Sequence, residues 1–173
     1  GLIEATGLSN DSAGRVDVNT SGDLIVTGEI KALGTQDAMV GGTINLLGDR
    51  VALIGSAKVD VSGIAGGGEV LIGGNYLGRG PEPNARVSVL GEDVQVSADA
   101  LSSGDGGRVI LWSDEYTNFS GSISAKGSSV GSGGFVETSS KLNLQAFGMV
   151  DVSGSINGGT YLLDPNDLDI IAG

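Results

Sequence analysis

A pair of small residues, usually two glycines, precedes a short apolar strand six times: AGRVDV from Ala13, GGTINL from Gly41, GGEVLI from Gly67, GGRVIL from Gly106, GGFVET from Gly133 and GGTYLL from Gly158. The second glycines, Gly14, Gly42, Gly68, Gly107, Gly134 and Gly159, lie 28, 26, 39, 27 and 25 residues apart. A fixed period of this length marks a repeat architecture, in which each unit buries its apolar face against its neighbours. Each unit holds three short strands. Residues 43–62 read TINLLG, RVALIG and KVDVSG, and residues 135–154 read FVETSS, KLNLQAF and MVDVSG. Alternation such as Val59-Asp60-Val61-Ser62 or Leu142-Asn143-Leu144-Gln145 turns one face to a core and the other to water.

Antiparallel hairpins or a parallel coil would both use such strands. The in-phase recurrence favours the coil. The second residue after each pair is Val16, Ile44, Val70, Val109, Val136 or Tyr161, and the fourth is Val18, Leu46, Ile72, Leu111, Thr138 or Leu163. Stacked in parallel, these positions make continuous inward ladders. The expected fold is all-β, a right-handed parallel β-helix (solenoid) of about six coils of three short strands. At about 4.8 Å per strand step, six coils rise roughly 25–30 Å. Residues 1–173 are read as one segment of a larger protein.

The 39-residue interval is the exception to the period. It holds GGNYLGRGPEPNARVSV, in which residues 75–85 form a loop insertion between strands that otherwise keep register. Insertions in repeat folds go to loops on one face. The loop is therefore expected to be a surface decoration that tolerates deletion. The alternative is a binding or coil-bracing element using Tyr76, Arg79 and Asn84.

Composition narrows the chemistry. Without His or Cys, there is no imidazole base or ligand, no thiolate and no disulfide. Nine basic residues against 21 acidic ones give a net charge of −12, which opposes binding to nucleic acid or anionic lipid. Aromatics are only 4%, so the core must be aliphatic. No apolar run approaches the roughly 20 residues that span a bilayer. Residues 1–20 are polar and contain Glu4 and Asp11, unlike a signal peptide. If the protein is secreted, this chain is expected to be a fragment without its leader.

The ordered string GGEVLIGGNYLGRGPEPNA, GGRVILWSD, FSGSISAKG, GSGGFVETSS, MVDVSG and GGTYLLDPNDLDI resembles the filamentous haemagglutinin-like large exoproteins, adhesins of the two-partner secretion pathway of Gram-negative bacteria. The likeness covers residues 41–171 well and the first forty loosely. Ser140 stands where a glycine is common, and VSGSINGGTYLLDP is shorter than in many relatives. The resemblance implies a β-helix passenger exported through an outer-membrane two-partner secretion transporter. It further implies a place outside the cell or at its surface, and a role in attachment to host cells or surfaces. It places this segment after the amino-terminal secretion domain. The family also holds haem-acquisition proteins and contact-dependent toxins, so a structural shaft displaying a distal domain is the alternative function.

Candidate sites follow from the residues. Tyr76, Arg79, Asn84 and Trp112 are the candidate binding residues for a host glycan or protein. Trp112 is read either as an outward platform for a sugar ring or as packing between coils. Asn10, Asn19 and Asn118 open Asn-x-Ser sequons and are candidate glycosylation sites. A carbohydrate-active enzyme would need clustered carboxylates. Asp60, Asp99 and Asp151 recur near unit ends but are expected to be outward and solvated, so no catalytic residue is assigned. The DPNDLD run from Asp164 is read as a turn leading into a strand at 168–171, not as a calcium loop, because Leu168 interrupts the oxygen ligands. No metal or cofactor is expected. The open ends of a solenoid lead to an expectation of weak end-to-end self-association, unless residues 1–13 or 164–173 fold over them.

Overall fold

Glycine pairs close each turn of the chain on itself, as Gly67 and Gly68 show in the computed structural model, which describes residues 1–5 and 13–165. Gly68 N–H donates to the Val61 carbonyl of its own turn at 2.8 Å, and Gly67 N–H donates to Asp105 of the next at 3.0 Å. A Cβ on Gly67 would stand 1.9 Å from the Ala98 carbonyl oxygen, and one on Gly68 would stand 2.1 Å from that of Gly42. Only glycine fits such a corner.

Between these corners run the strands. β1 (Leu2–Glu4) stands alone at the start. The first coil is β2 (Arg15–Asn19), β3 (Asp23–Val26) and β4 (Glu29–Lys31). The second is β5 (Thr43–Leu47), β6 (Arg50–Leu53) and β7 (Lys58–Asp60). The third is β8 (Glu69–Ile72), β9 (Val87–Leu90) and β10 (Gln95–Ser97), interrupted by a 3-10 turn at Tyr76–Gly78. The fourth is β11 (Arg108–Leu111), β12 (Tyr116–Phe119) and β13 (Ser122–Ser124). The fifth is β14 (Phe135–Thr138), β15 (Asn143–Ala146) and β16 (Met149–Asp151), and β17 (Thr160–Leu162) begins a sixth. The three sheets, β2-β5-β8-β11-β14-β17, β3-β6-β9-β12-β15 and β1-β4-β7-β10-β13-β16, are parallel throughout. The fold is thus a parallel β-solenoid of about six turns, as the repeat implied.

The register matches the sequence phase. Val16, Ile44, Val70, Val109, Val136 and Tyr161 pair in succession along one ladder, and Val18, Leu46, Ile72, Leu111 and Thr138 along the next. Together with Leu53, Leu90, Phe119 and the Ile30-Val59-Val96-Ile123 ladder, they fill one aliphatic core. The ladder through β9 and β12 is different, because Ser88 and Thr117 point inward and are fully buried. Their hydroxyls donate to the Trp112 and Ser139 carbonyls at 2.7 and 2.8 Å, so no polar group is stranded. Outside, Arg50 forks onto Asp23 and Arg86 onto Asp49 across neighbouring coils. Both pairs are solvent-exposed and add little to stability.

The last described coils lack a covering neighbour. Phe147 and Met149 are both 76% exposed. Leu142, expected inward, is exposed at the mouth of the edge strand β15. Asn10 and the strand expected at 168–171 lie outside the described residues, as do most of the two segments read as end caps.

Candidate functional site

The outer face of the first sheet carries the feature that most departs from a plain shaft. Successive outward positions along it are Asp17, Asn45, Leu71, Ile110, Glu137 and Leu162. Its middle is apolar on the side that should meet water. Leu71, Ile110 and Trp112 form a second buried cluster, with Phe135 packed against it.

The loop at 75–85 is the cover. Gly73, at φ 74°, turns the chain out of β8, and Ala85 N–H returns to the Gly73 carbonyl at 2.6 Å to close the loop base. Asn75 accepts the Tyr76 N–H at 2.6 Å and donates to Glu82 at 2.8 Å. Leu77 takes a left-handed conformation, φ 54°, that aims its N–H at both Glu137 carboxylate oxygens, each 3.2 Å away. Gly78 lies flat on Trp112, where a Cβ would come within 2.4 Å of the indole. Asn84 ties the return limb down, donating to the Gly78 carbonyl at 3.0 Å and to Asp114 at 3.2 Å. The Trp112 indole N–H also reaches Asp114, at 3.3 Å. The Tyr76 ring meets Phe135 edge-on at 5.7 Å, and the Arg108 guanidinium, paired with Glu69, sits 5.6 Å from the Tyr76 centroid.

This geometry corrects the reading of the loop as a dispensable decoration. Three of the four candidate binding residues, Tyr76, Asn84 and Trp112, are used to fasten it. Trp112 is 5% exposed, so it offers no open platform to a sugar ring and takes the packing role instead. Arg79 is exposed and makes no ion pair among the described residues. Replacing residues 75–84 by a short flexible link is expected to uncover Leu71, Ile110 and Trp112, at a cost on the order of 3 kcal/mol or more. The readout is a lower denaturation midpoint together with binding of an apolar dye. An unchanged midpoint would restore the decoration reading.

Glu137 is fully buried beneath this loop. Burial pushes its carboxyl above the ordinary 4.5, and the Asp164 charge adds to the rise. The Ser139 hydroxyl, the Leu77 N–H and the Arg108 charge pull the other way without reversing it. A carboxyl raised in the folded state favours folding while protonated. That contribution is complete below the unfolded value and is lost as pH rises through the folded one. Glu137→Gln is therefore expected to gain stability relative to the parent as pH rises above about 4.5. Denaturation midpoints of the two proteins across pH 4 to 8 test it, and a constant difference would refute it.

The acidic residues singled out from the sequence serve the turns. Asp60 and Asp151 accept the N–H two residues on, from Ser62 and Ser153, at 2.9 and 3.0 Å. Asp99 accepts from the Lys126 N–H at 2.7 Å and from the Ser124 hydroxyl. Asp60 and Asp151 share one ladder but stand three coils apart. That is roughly 14 Å, beyond the spacing at which two carboxyls flank one glycosidic bond. Of the described sequons, Asn19 is exposed at the end of β2. Asn118 is half-buried, donating to Gln145 and accepting from Ser120. Two clefts border the loop. One, of about 400 Å³, includes Leu77, Asn84, Asp114 and Lys141, and the other, of about 270 Å³, lies between β2 and the loop tip.

No family model and no curated protein matches the sequence. Among solved structures, the chain is similar to the crystal structure of the HMW1 secretion domain from Haemophilus influenzae, with 29% identity over 94% of this chain and a TM-score of 0.76. The chain spans 42% of the length of that structure. The likeness is to a secretion domain itself, whereas the sequence placed this segment after such a domain.

Proposed function

We propose that this chain is part of an exported bacterial passenger of the two-partner type, carried across the outer membrane of a Gram-negative cell by a dedicated β-barrel transporter. The observation that carries this reading is the likeness to a secretion domain over 94% of the chain. The ordered motifs from GGEVLIGG to GGTYLLDP support it independently. The solenoid suits such export, since each coil needs only its neighbour and can form as it emerges. At its destination the protein acts in attachment to a host cell or surface, through its outer faces and not through a catalytic centre.

The test is the passenger expressed in a Gram-negative host with and without its transporter. The expected result is surface or medium location, read by protease sensitivity of intact cells, only when the transporter is present. Retention inside the cell with the transporter present would overturn the export reading. Cell binding by the exported protein, compared with a variant in which this segment is replaced by plain coils, separates attachment from a purely spacing role.

A further inference from the structure

We propose that the cleft between β2 and the loop tip is a binding site for a saccharide without acid groups. The argument begins at its floor. Asn45 is 3% exposed, and its amide N–H donates to Asp17 at 2.8 Å, but its carbonyl oxygen has no partner. The next two positions outward along the same ladder are Leu71 and Ile110. Packing alone would thus be served by an aliphatic residue at 45. A buried acceptor left open in a site of about 270 Å³ asks for a donor from outside.

The walls say what kind of donor. Pro81 and Pro83 supply a flat apolar surface on the loop side. Asp17 and Glu82 add carboxylate oxygens, with the Arg15 guanidinium held 2.6 Å from Asp17. Acceptors outnumber donors, so the ligand must bring O–H groups. It must also bring an apolar face to lie against the prolines. A sugar ring has both, with hydroxyls around its edge and C–H groups on its face. Two carboxylates against one guanidinium, in a chain of net charge −12, turn away uronic and sialic acids.

The site deepens the attachment reading and rests on it for its biological use, yet its binding is measured without any transporter. Export can therefore succeed while the cleft fails, or the reverse. The experiment is a titration of the isotope-labelled chain, followed by amide resonances, with methyl glucoside, methyl galactoside, methyl mannoside and N-acetylglucosamine disaccharide. Galacturonate, sialyllactose, spermidine and calcium form the contrasting arms. The expected result is saturable shifts at residues 17, 45 and 82 with at least one neutral sugar. Asn45→Leu should weaken them about tenfold or more while the thermal midpoint holds or rises. Should Asn45→Leu not fold, Glu82→Gln on the loop tip should weaken binding in its place. No shift with any neutral sugar, unweakened binding in the folded variant, or a preference for spermidine, calcium or the acidic sugars would each overturn the proposal.

Discussion

Gly67→Ala is expected to unfold much of the solenoid, while Gly158→Ala leaves it intact. Both residues open a glycine pair, so a rule based on sequence alone would treat them alike. Their surroundings differ. A methyl on Gly67 would lie 1.9 Å from the Ala98 carbonyl oxygen and 2.3 Å from the Gly107 nitrogen, both backbone atoms of the next coil. No rotamer relieves a clash with backbone, so two coils must move apart along the whole corner. The expected loss is about 3 kcal/mol or more. A methyl on Gly158 meets nothing within 4 Å. There the substitution is expected to be neutral or to gain a few tenths of a kcal/mol through the unfolded chain. Urea midpoints of the two variants measure the contrast. Equal midpoints would mean that the pairs act through chain flexibility and not through close approach.

The second large effect is Val109→Asp. Val109 is fully buried between Val70 and Val136, themselves fully buried. An unpaired carboxylate there costs several kcal/mol, comparable to the roughly 5–15 kcal/mol that holds a domain together. Loss of the cooperative transition at neutral pH is expected. Acid should restore it in part, because a buried Asp is tolerated only when protonated and its unfolded value is about 3.9. Gln95→Asp, on the exposed outer face of β10, is the control and should change little. A stable Val109→Asp at pH 7 would place that ladder outside the core.

The phase of the glycine pairs made the ladders legible, because a parallel stack repeats its register without exception. What hid was wherever one face served two purposes. Val109 to Trp112 is an unbroken apolar run, and so is Val70 to Ile72. Such runs belong to strands covered on both faces, and here the outer cover is the loop. That signal was present and pointed to a brace. In RVSVLG the apolar pattern suggests Val87 and Val89 inward, yet Ser88 and Leu90 take those places. The Trp112 carbonyl needs the Ser88 hydroxyl, a demand set by a residue 24 positions away. Nothing in the local sequence distinguishes the buried Glu137 from any outward Glu, since its cover comes from 60 positions upstream. Asn45 is equally silent, because its isolation depends on where the loop tip lands.

The loop leaves the third coil and is bonded to the fourth through Asp114 and to the fifth through Glu137. In a shaft pulled from both ends, coils without such a strap should peel off singly, each of some 26 residues releasing roughly 90 Å of slack. The strapped three should resist together and then give way in one long extension. The insertion thus works as a mechanical fuse with a high threshold, setting how much load the middle of the shaft carries before it lengthens.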